Sequence, residues 1–147
     1  MNDSHIVKTT KMLRSLGYNY DIAEHYFVNP KTGKRTKHDF MGFGDIQTWS
    51  PRMKPYGIGS LMIQVCGEDV LVHTTRYQDP TEVRGTRKIP ICVSITGWIE
   101  SGNAFQIWSW SRNEKLTRFN CVVGRKQCLY FPLIVESKSN LEKGVLV

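Results

Sequence analysis

Two carboxylates, Asp39 and Asp45, follow a basic run in the stretch TKHDFMGFGDIQTW, and a glutamine, Gln64, interrupts the almost wholly apolar run LMIQVCG. Carboxylates beside cations can simply pair on a surface. They can also hold a metal next to bound phosphate. If the strand opened by Asp45 pairs with the strand that carries Gln64, an aspartate oxygen, an amide carbonyl and the backbone carbonyl of Val65 converge at one spot. Such an all-oxygen set suits Mg2+ or Mn2+, which keep several waters and are often held by one or two carboxylates plus phosphate. An ion there activates a water and neutralises charge that develops on a phosphodiester during in-line attack. Each residue also has a plainer reading. Asp39 pairs with Lys37 or Arg35, Asp45 caps a turn after Gly44, and Gln64 bonds only to backbone, since an amide buried in a strand must find partners.

The charge distribution points to a polyanion. The 147-residue chain carries a formal charge of +7 and a pI near 9.4, which favours nucleic acid. Lys31, Lys34, Arg35 and Lys37 form one cluster with no acid among them. Arg84, Arg87 and Lys88 form a second, and Arg112, Lys115, Arg118, Arg125 and Lys126 a third. Any one run is as readily a solvated loop as a phosphate grip, and three in one small basic domain tilt the balance to nucleic acid. Basic side chains of this kind position a backbone without reading sequence.

The cysteines, Cys66, Cys92, Cys121 and Cys128, show no CxxC and no histidine at zinc-finger spacing, which argues against structural zinc and for free thiols in a reducing cytosol. His25, His38 and His73 have no metal-ligand spacing either; His73 is at most a general base. No apolar run approaches the roughly 20 residues that span a bilayer, and the N-terminus has no signal-peptide stretch. The expected location is cytoplasmic, in the host cell if the protein is viral.

The elements that must position these groups are readable in outline. SHIVKTTKMLRSLGY reads as a helix with Ser4 as N-cap, ended by Gly17. A strand is expected around residues 20–28, turned by NPKTGK into a second strand, and GDIQTW at 44–49 as a third. SPRMKPYGIGS is a loop, and LMIQVCG a strand buried on both faces. Residues 67–79 are either a helical turn or an extended loop. DPTE predicts a helix start, with Asp79 as N-cap, Pro80 at the first helical position and Glu82 completing a capping box. Pro90 breaks or kinks that helix, which continues through PICVSITGWIESG to Gly102. AFQIWSW alternates Phe105, Ile107 and Ser109 against Gln106, Trp108 and Trp110, and RFNCVVG with QCLYFPLIV suggests a C-terminal hairpin. A helix between LMIQVCG and AFQIWSW makes those strands parallel neighbours. The tryptophans are most simply core.

This order of elements resembles the PD-(D/E)XK nuclease superfamily, and within it a group of small phage and bacterial Holliday-junction-resolvase-like endonucleases. The matching pieces are HDFMGFGDI with Asp39, Gly42, Phe43 and Asp45; MIQV with Gln64; RKI with Arg87, Lys88 and Ile89; WIESGN from Trp98; and IWSW at 107–110. The resemblance implies an α/β fold with an α-β-β-β-α-β restriction-endonuclease-like core over about residues 4–112. A mixed central sheet is flanked by helices, and an extension over about 113–147 carries the hairpin, all as one nuclease-like domain. It implies Asp45 as the metal-binding aspartate and Gln64 at the Glu/Gln position, with Val65 lending its carbonyl. The superfamily lysine, two residues beyond Gln64, is replaced by Cys66. Lys88 is then the candidate for its role, with Arg87 as phosphate clamp, and Glu24 is the nearest substitute for an early acidic residue.

The function so implied is a Mg2+- or Mn2+-dependent DNA endonuclease or resolvase-like phosphodiesterase of phage or prophage DNA processing. Its substrate is duplex, branched or single-stranded DNA, and a homodimer would suit two-fold cutting. The alternative is a catalytically degenerate copy of the fold that binds nucleic acid or protein, which the missing lysine favours. A basic structural protein of a virion or replication complex is a third reading.

Overall fold

The structure is a computed structural model that describes residues 3–23, 25–38, 42–83, 88–135 and 144–146, the side chains of 25–27 and 36–38 aside. Glu24, Asp39, Arg84 and Arg87 lie outside the described residues.

Helix α1, His5–Ser15, begins as its sequence dictates. The Ser4 hydroxyl accepts from the Val7 amide at 3.3 Å, which satisfies one of the free N–H groups of the first turn. Gly17 ends the helix at φ 79°, a conformation open to glycine at little cost. Four short strands follow: β1 (Asn19–Ile22), β2 (His25–Val28), β3 (Arg35–His38) and β4 (Ile46–Trp49). The strand expected at 20–28 is therefore two strands serving two sheets. β1 pairs with β4, while β2 and β3 form a separate antiparallel hairpin. The expected loop 50–60 contains a 3-10 turn at Pro51–Tyr56.

Strand β5 (Leu61–Cys66) is buried at every position, as is β6 (Ala104–Trp110). Between them run α2 (Val70–Gln78) and α3 (Ile91–Glu100), so β5 and β6 lie parallel. β7 (Leu116–Asn120) pairs antiparallel with β6, giving a central sheet ordered β1-β4-β5-β6-β7. Without the β2–β3 hairpin the order through β6 is α1-β1-β4-β5-α2-α3-β6, with two helices where one crossover was expected, and the core is the expected α/β one with a mixed sheet flanked by helices. At the C-terminus β8 (Val122–Val123) and β9 (Leu129–Tyr130) form a short hairpin. Its expected first arm is longer, but RFN belongs to β7 and extends the main sheet.

One sequence expectation fails. No helix starts at Asp79; α2 has already formed and ends there. The Asp79 carboxylate accepts instead from the Thr81 amide at 2.8 Å and hydroxyl at 2.7 Å, a local turn that competes with a helical N-cap. Those bonds hold the carboxyl below its ordinary range. The next helix, α3, starts only after Pro90.

The period-2 alternation of β5 and β6 divides the core into two layers. Leu61, Ile63, Val65, Trp108 and Trp110 pack with Leu13 of α1. Met62, Cys66, Phe105 and Ile107 pack with Tyr77 of α2 and Ile91 and Ile95 of α3. The polar groups buried around β6 are paired: the Trp110 indole donates to Thr9 Oγ1 at 2.9 Å, and Arg118 donates to Gln106 Oε1 and to the Leu146 carbonyl. The Trp108 indole donates to the same Gln106 oxygen, so both tryptophans are held in the core.

Candidate functional site

Asp45 precedes β4 and is 3% exposed. Its amide donates to the Ile63 carbonyl at 2.8 Å, which continues the sheet ladder and brings it beside β5. Gln64 is also buried, on the β5 face shared with Met62 and Cys66. The convergence of Asp45, Gln64 and Val65 expected from sequence is therefore present. Gln64 Nε2 donates to Asp45 Oδ2 at 2.8 Å and to the Val65 carbonyl at 3.2 Å, and the Val65 amide donates to the same Oδ2 at 3.0 Å.

The orientation of the Gln64 amide decides what this triad can do. Its Oε1 accepts from the Gly44 amide at 3.2 Å and the Tyr77 hydroxyl at 2.7 Å. A backbone N–H can only donate, so the oxygen must face Gly44 and the NH2 must face Asp45 and Val65. Gln64 thus presents hydrogens where a metal ligand would present an oxygen. It acts as the group that orients the Asp45 carboxylate. Two oxygens of the expected set, from Asp45 and Val65, still converge, and they fit a hard cation that takes its remaining ligands from water.

A cleft of about 400 Å3 lies beside them, lined in part by His5, Asp45, Gln64, Cys66, Asp69 and His73. It lies at the carboxyl end of β5, and a second hollow of about 740 Å3 shares His5, Gly67 and Asp69 with it and adds Lys8 and Arg112. Clefts outside the carboxyl ends of parallel strands are the usual binding places of α/β sheets. Lys8 lies 3.6 Å from Glu114.

Cys66 occupies the position where the resemblance asks for lysine. Burial pushes its thiol up to about 12, with the negative charges of Asp69 and Asp45 adding to the rise and a hydrogen bond with Ser109 opposing it. The side chain is a neutral thiol at physiological pH and cannot supply the lysine's charge. Lys88 is exposed at the head of α3 and is not among the residues lining either hollow. Of the nucleic-acid candidates, Lys31 and Lys34 are exposed in the β2–β3 turn and Arg35 is exposed at the start of β3.

Sequence reasoning passed over His5, Asp69 and the ligand geometry of Cys66 and His73. Nε2 of His73 is 3.3 Å from Asp69 Oδ2, and Cys66, Asp69 and His73 bring ligand atoms within 4.8 Å of one another. The available signal was Asp69 four residues ahead of His73, which share a face once 70–78 is helical. All four cysteines are free thiols, Cys66 and Cys121 buried and Cys128 exposed. Among the described residues no helix is long and apolar enough to cross a membrane. Compared with protein-family models, curated proteins and solved structures, the chain matches none.

Proposed function

We propose that this protein is a Mg2+- or Mn2+-dependent DNA endonuclease of resolvase-like type, acting in the cytoplasm on phage or prophage DNA. One observation carries the reading: a buried aspartate and a backbone carbonyl converge on the wall of an open polar cleft at the carboxyl end of β5. Asp45 and the Val65 carbonyl would hold the ion, which when bound supplies an activated water and charge neutralisation at phosphorus. The chain's own residues do the rest. Gln64 and the Val65 amide fix the Asp45 carboxylate, and Tyr77 fixes Gln64 from behind. The cations of the β2–β3 turn, with Lys88 at the head of α3, grip phosphates away from the reacting centre.

The test is cleavage of labelled single-stranded, duplex and four-way-junction DNA with Mg2+ or Mn2+. Asp45→Asn is the informative variant, because Asn keeps an acceptor for Gln64 and Val65 while removing the charge. Metal-dependent cutting that disappears in Asp45→Asn supports the nuclease; cutting that persists sinks it.

A second reading has its own observation. The amide nitrogen of Gln64 already occupies the space between Asp45 and the Val65 carbonyl, and Cys66 is neutral. Both features suit a degenerate copy of the fold that binds DNA without cutting it. Tight binding by folded wild type, with no cutting under any metal, selects this reading.

A further inference from the structure

Asp69 stands at the N-cap position of α2, yet its carboxylate makes no capping bond. Aspartate is among the residues best suited to cap, so an Asp at that position with its side chain turned elsewhere calls for another partner. That partner is His73, one turn on, whose Nε2 lies 3.3 Å away. Cys66, the last residue of β5, completes the group, and the ligand atoms of all three fall within 4.8 Å of one another.

Gly67 supplies a second, independent observation. Its φ lies outside the left-handed region, so the backbone does not require glycine. The surroundings are close instead: a Cβ there would lie 3.3 Å from His5 Nε2, tight enough to push the imidazole back by a few tenths of an ångström, and 3.9 Å from Asp69 Oδ1. Glycine thus leaves the His5 imidazole and the Asp69 carboxylate uncrowded where the two hollows meet, since both are lined by His5, Gly67 and Asp69.

We propose that Cys66, Asp69 and His73 form a binding site for Zn2+, with a fourth position left to water or substrate on the side faced by His5. One sulfur, one nitrogen and one oxygen make a mixed set of the kind that suits zinc and that magnesium does not use. Three protein ligands with an open position is the pattern of a reactive zinc centre rather than of a closed structural one. The absence of zinc-finger spacing in the sequence is therefore no obstacle.

Binding balances simply. The Cys66 thiol releases its proton to solvent as the sulfur bonds to zinc. His73 binds through Nε2, the nitrogen that already faces Asp69; the proton that Nε2 carries while Nδ1 accepts from Arg76 leaves to solvent, and Nδ1 takes one up in its place, so the ring stays neutral. Arg76 Nη2, 3.3 Å from Nδ1, can then no longer donate to it, and its bond passes to the Tyr77 hydroxyl, 3.4 Å away. Asp69, more than half exposed, moves from the histidine to the metal. The site shares a cleft with Asp45 but not its ligands, so it stands or falls independently of nuclease activity.

The test uses the purified full chain, stripped of metal with a chelator and titrated with Co2+ and then Zn2+. Wild type should bind one Co2+ with a thiolate-to-metal charge-transfer band, displaced by Zn2+. Cys66→Ser should remove the band, His73→Ala should remove binding, and the exposed Cys128→Ser should change neither. Gly67→Ala keeps every ligand but crowds His5 and the Asp69 carboxylate from the side, and should weaken Zn2+ binding about tenfold. It also serves where Cys66→Ser does not fold by circular dichroism. No thiolate band in folded wild type, a band that survives Cys66→Ser, or Zn2+ affinity indifferent to both His73→Ala and Gly67→Ala would overturn the site.

Discussion

At the scale of single residues, the glutamine in β5 turns on the direction of one amide. Gln64 links the backbone of Gly44, the Tyr77 hydroxyl, Asp45 and Val65. Gln64→Glu replaces the NH2 that faces Asp45 with an oxygen, so two carboxylates meet in a buried space. Without metal we expect the variant to lose about 1–3 kcal/mol, the cost of unmatched buried polar groups. A divalent cation placed between the carboxylates would restore it. Thermal unfolding with chelator and with Mn2+ decides this; a variant equally stable in both would count against any cation at Asp45. The meeting of Asp45 with Gln64 was legible in the sequence, because each follows from strand pairing. The direction of the amide was not, since the donors that fix it, Gly44 and Tyr77, come from a loop and from a helix that the sequence left ambiguous.

The buried thiols give a prediction of the same scale. Burial, chiefly, pushes both Cys66 and Cys121 up to about 12 from an ordinary value of 9.0. A group whose pKa is raised by folding contributes stability in full below its unfolded pKa and loses it as pH rises towards the folded one. Stability should therefore fall between pH 9 and 12, by up to about 1.4 kcal/mol per pH unit for the more deeply buried Cys121. Lysines and tyrosines titrate in the same window, so the measurement is a difference. Urea midpoints of wild type and Cys121→Ala at about pH 8 and about pH 10.5, one on each side of the ordinary thiol value, should converge at the higher pH; a constant gap would refute the buried, protonated thiol.

Among the elements, alternation was the dependable signal and local competition the misleading one. β5 and β6 were readable because their apolar runs are long enough to be buried on both faces. Helix α2 was not, because Leu71 and Val72 are 76% and 64% exposed and their apolar side chains blur the period that marks a buried face. The turn into β4 makes a sharper claim. Gly44 has φ 102°, and a Cβ on it would lie 2.2 Å from Met62 Cγ and 2.5 Å from its sulfur. Its amide also anchors Gln64. Gly44→Ala should cost about 1–3 kcal/mol in backbone strain alone, with the crowding of Met62 added. Because Asp45 is the next residue, the same change should weaken whatever the cleft binds. Gly33→Ala, at φ 69° with nothing within 4 Å, should show the backbone cost without crowding and without harm to the cleft. Equal unfolding midpoints for the two variants would mean that the Gly44 turn does not hold the site.

For the whole molecule, the excess charge of +7 is placed by the fold more pointedly than composition allowed. The β2–β3 hairpin forms a sheet of its own, and its turn is braced by Asn29, which accepts from Lys31 through its side chain and from Gly33 through its carbonyl. Lys31, Lys34 and Arg35 are thus presented on a defined turn and strand start. If these cations meet phosphates, reversing all three to glutamate should weaken DNA binding and flatten its salt dependence, by about 0.9 in the log–log slope for each phosphate no longer neutralised. Reversal at Lys115, Arg125 and Lys126, outside the hairpin, serves as the charge-matched comparison and should move the slope less. The nuclease and the degenerate binding module both require this result, and Asp45→Asn separates them because it leaves the hairpin's charge untouched. Under the first reading that variant binds DNA with an unchanged salt slope and does not cut; under the second it behaves as wild type in both respects. A slope unmoved by the triple reversal would take the hairpin out of nucleic-acid binding and leave the cations near the second hollow, Lys8 and Arg112, to account for the charge.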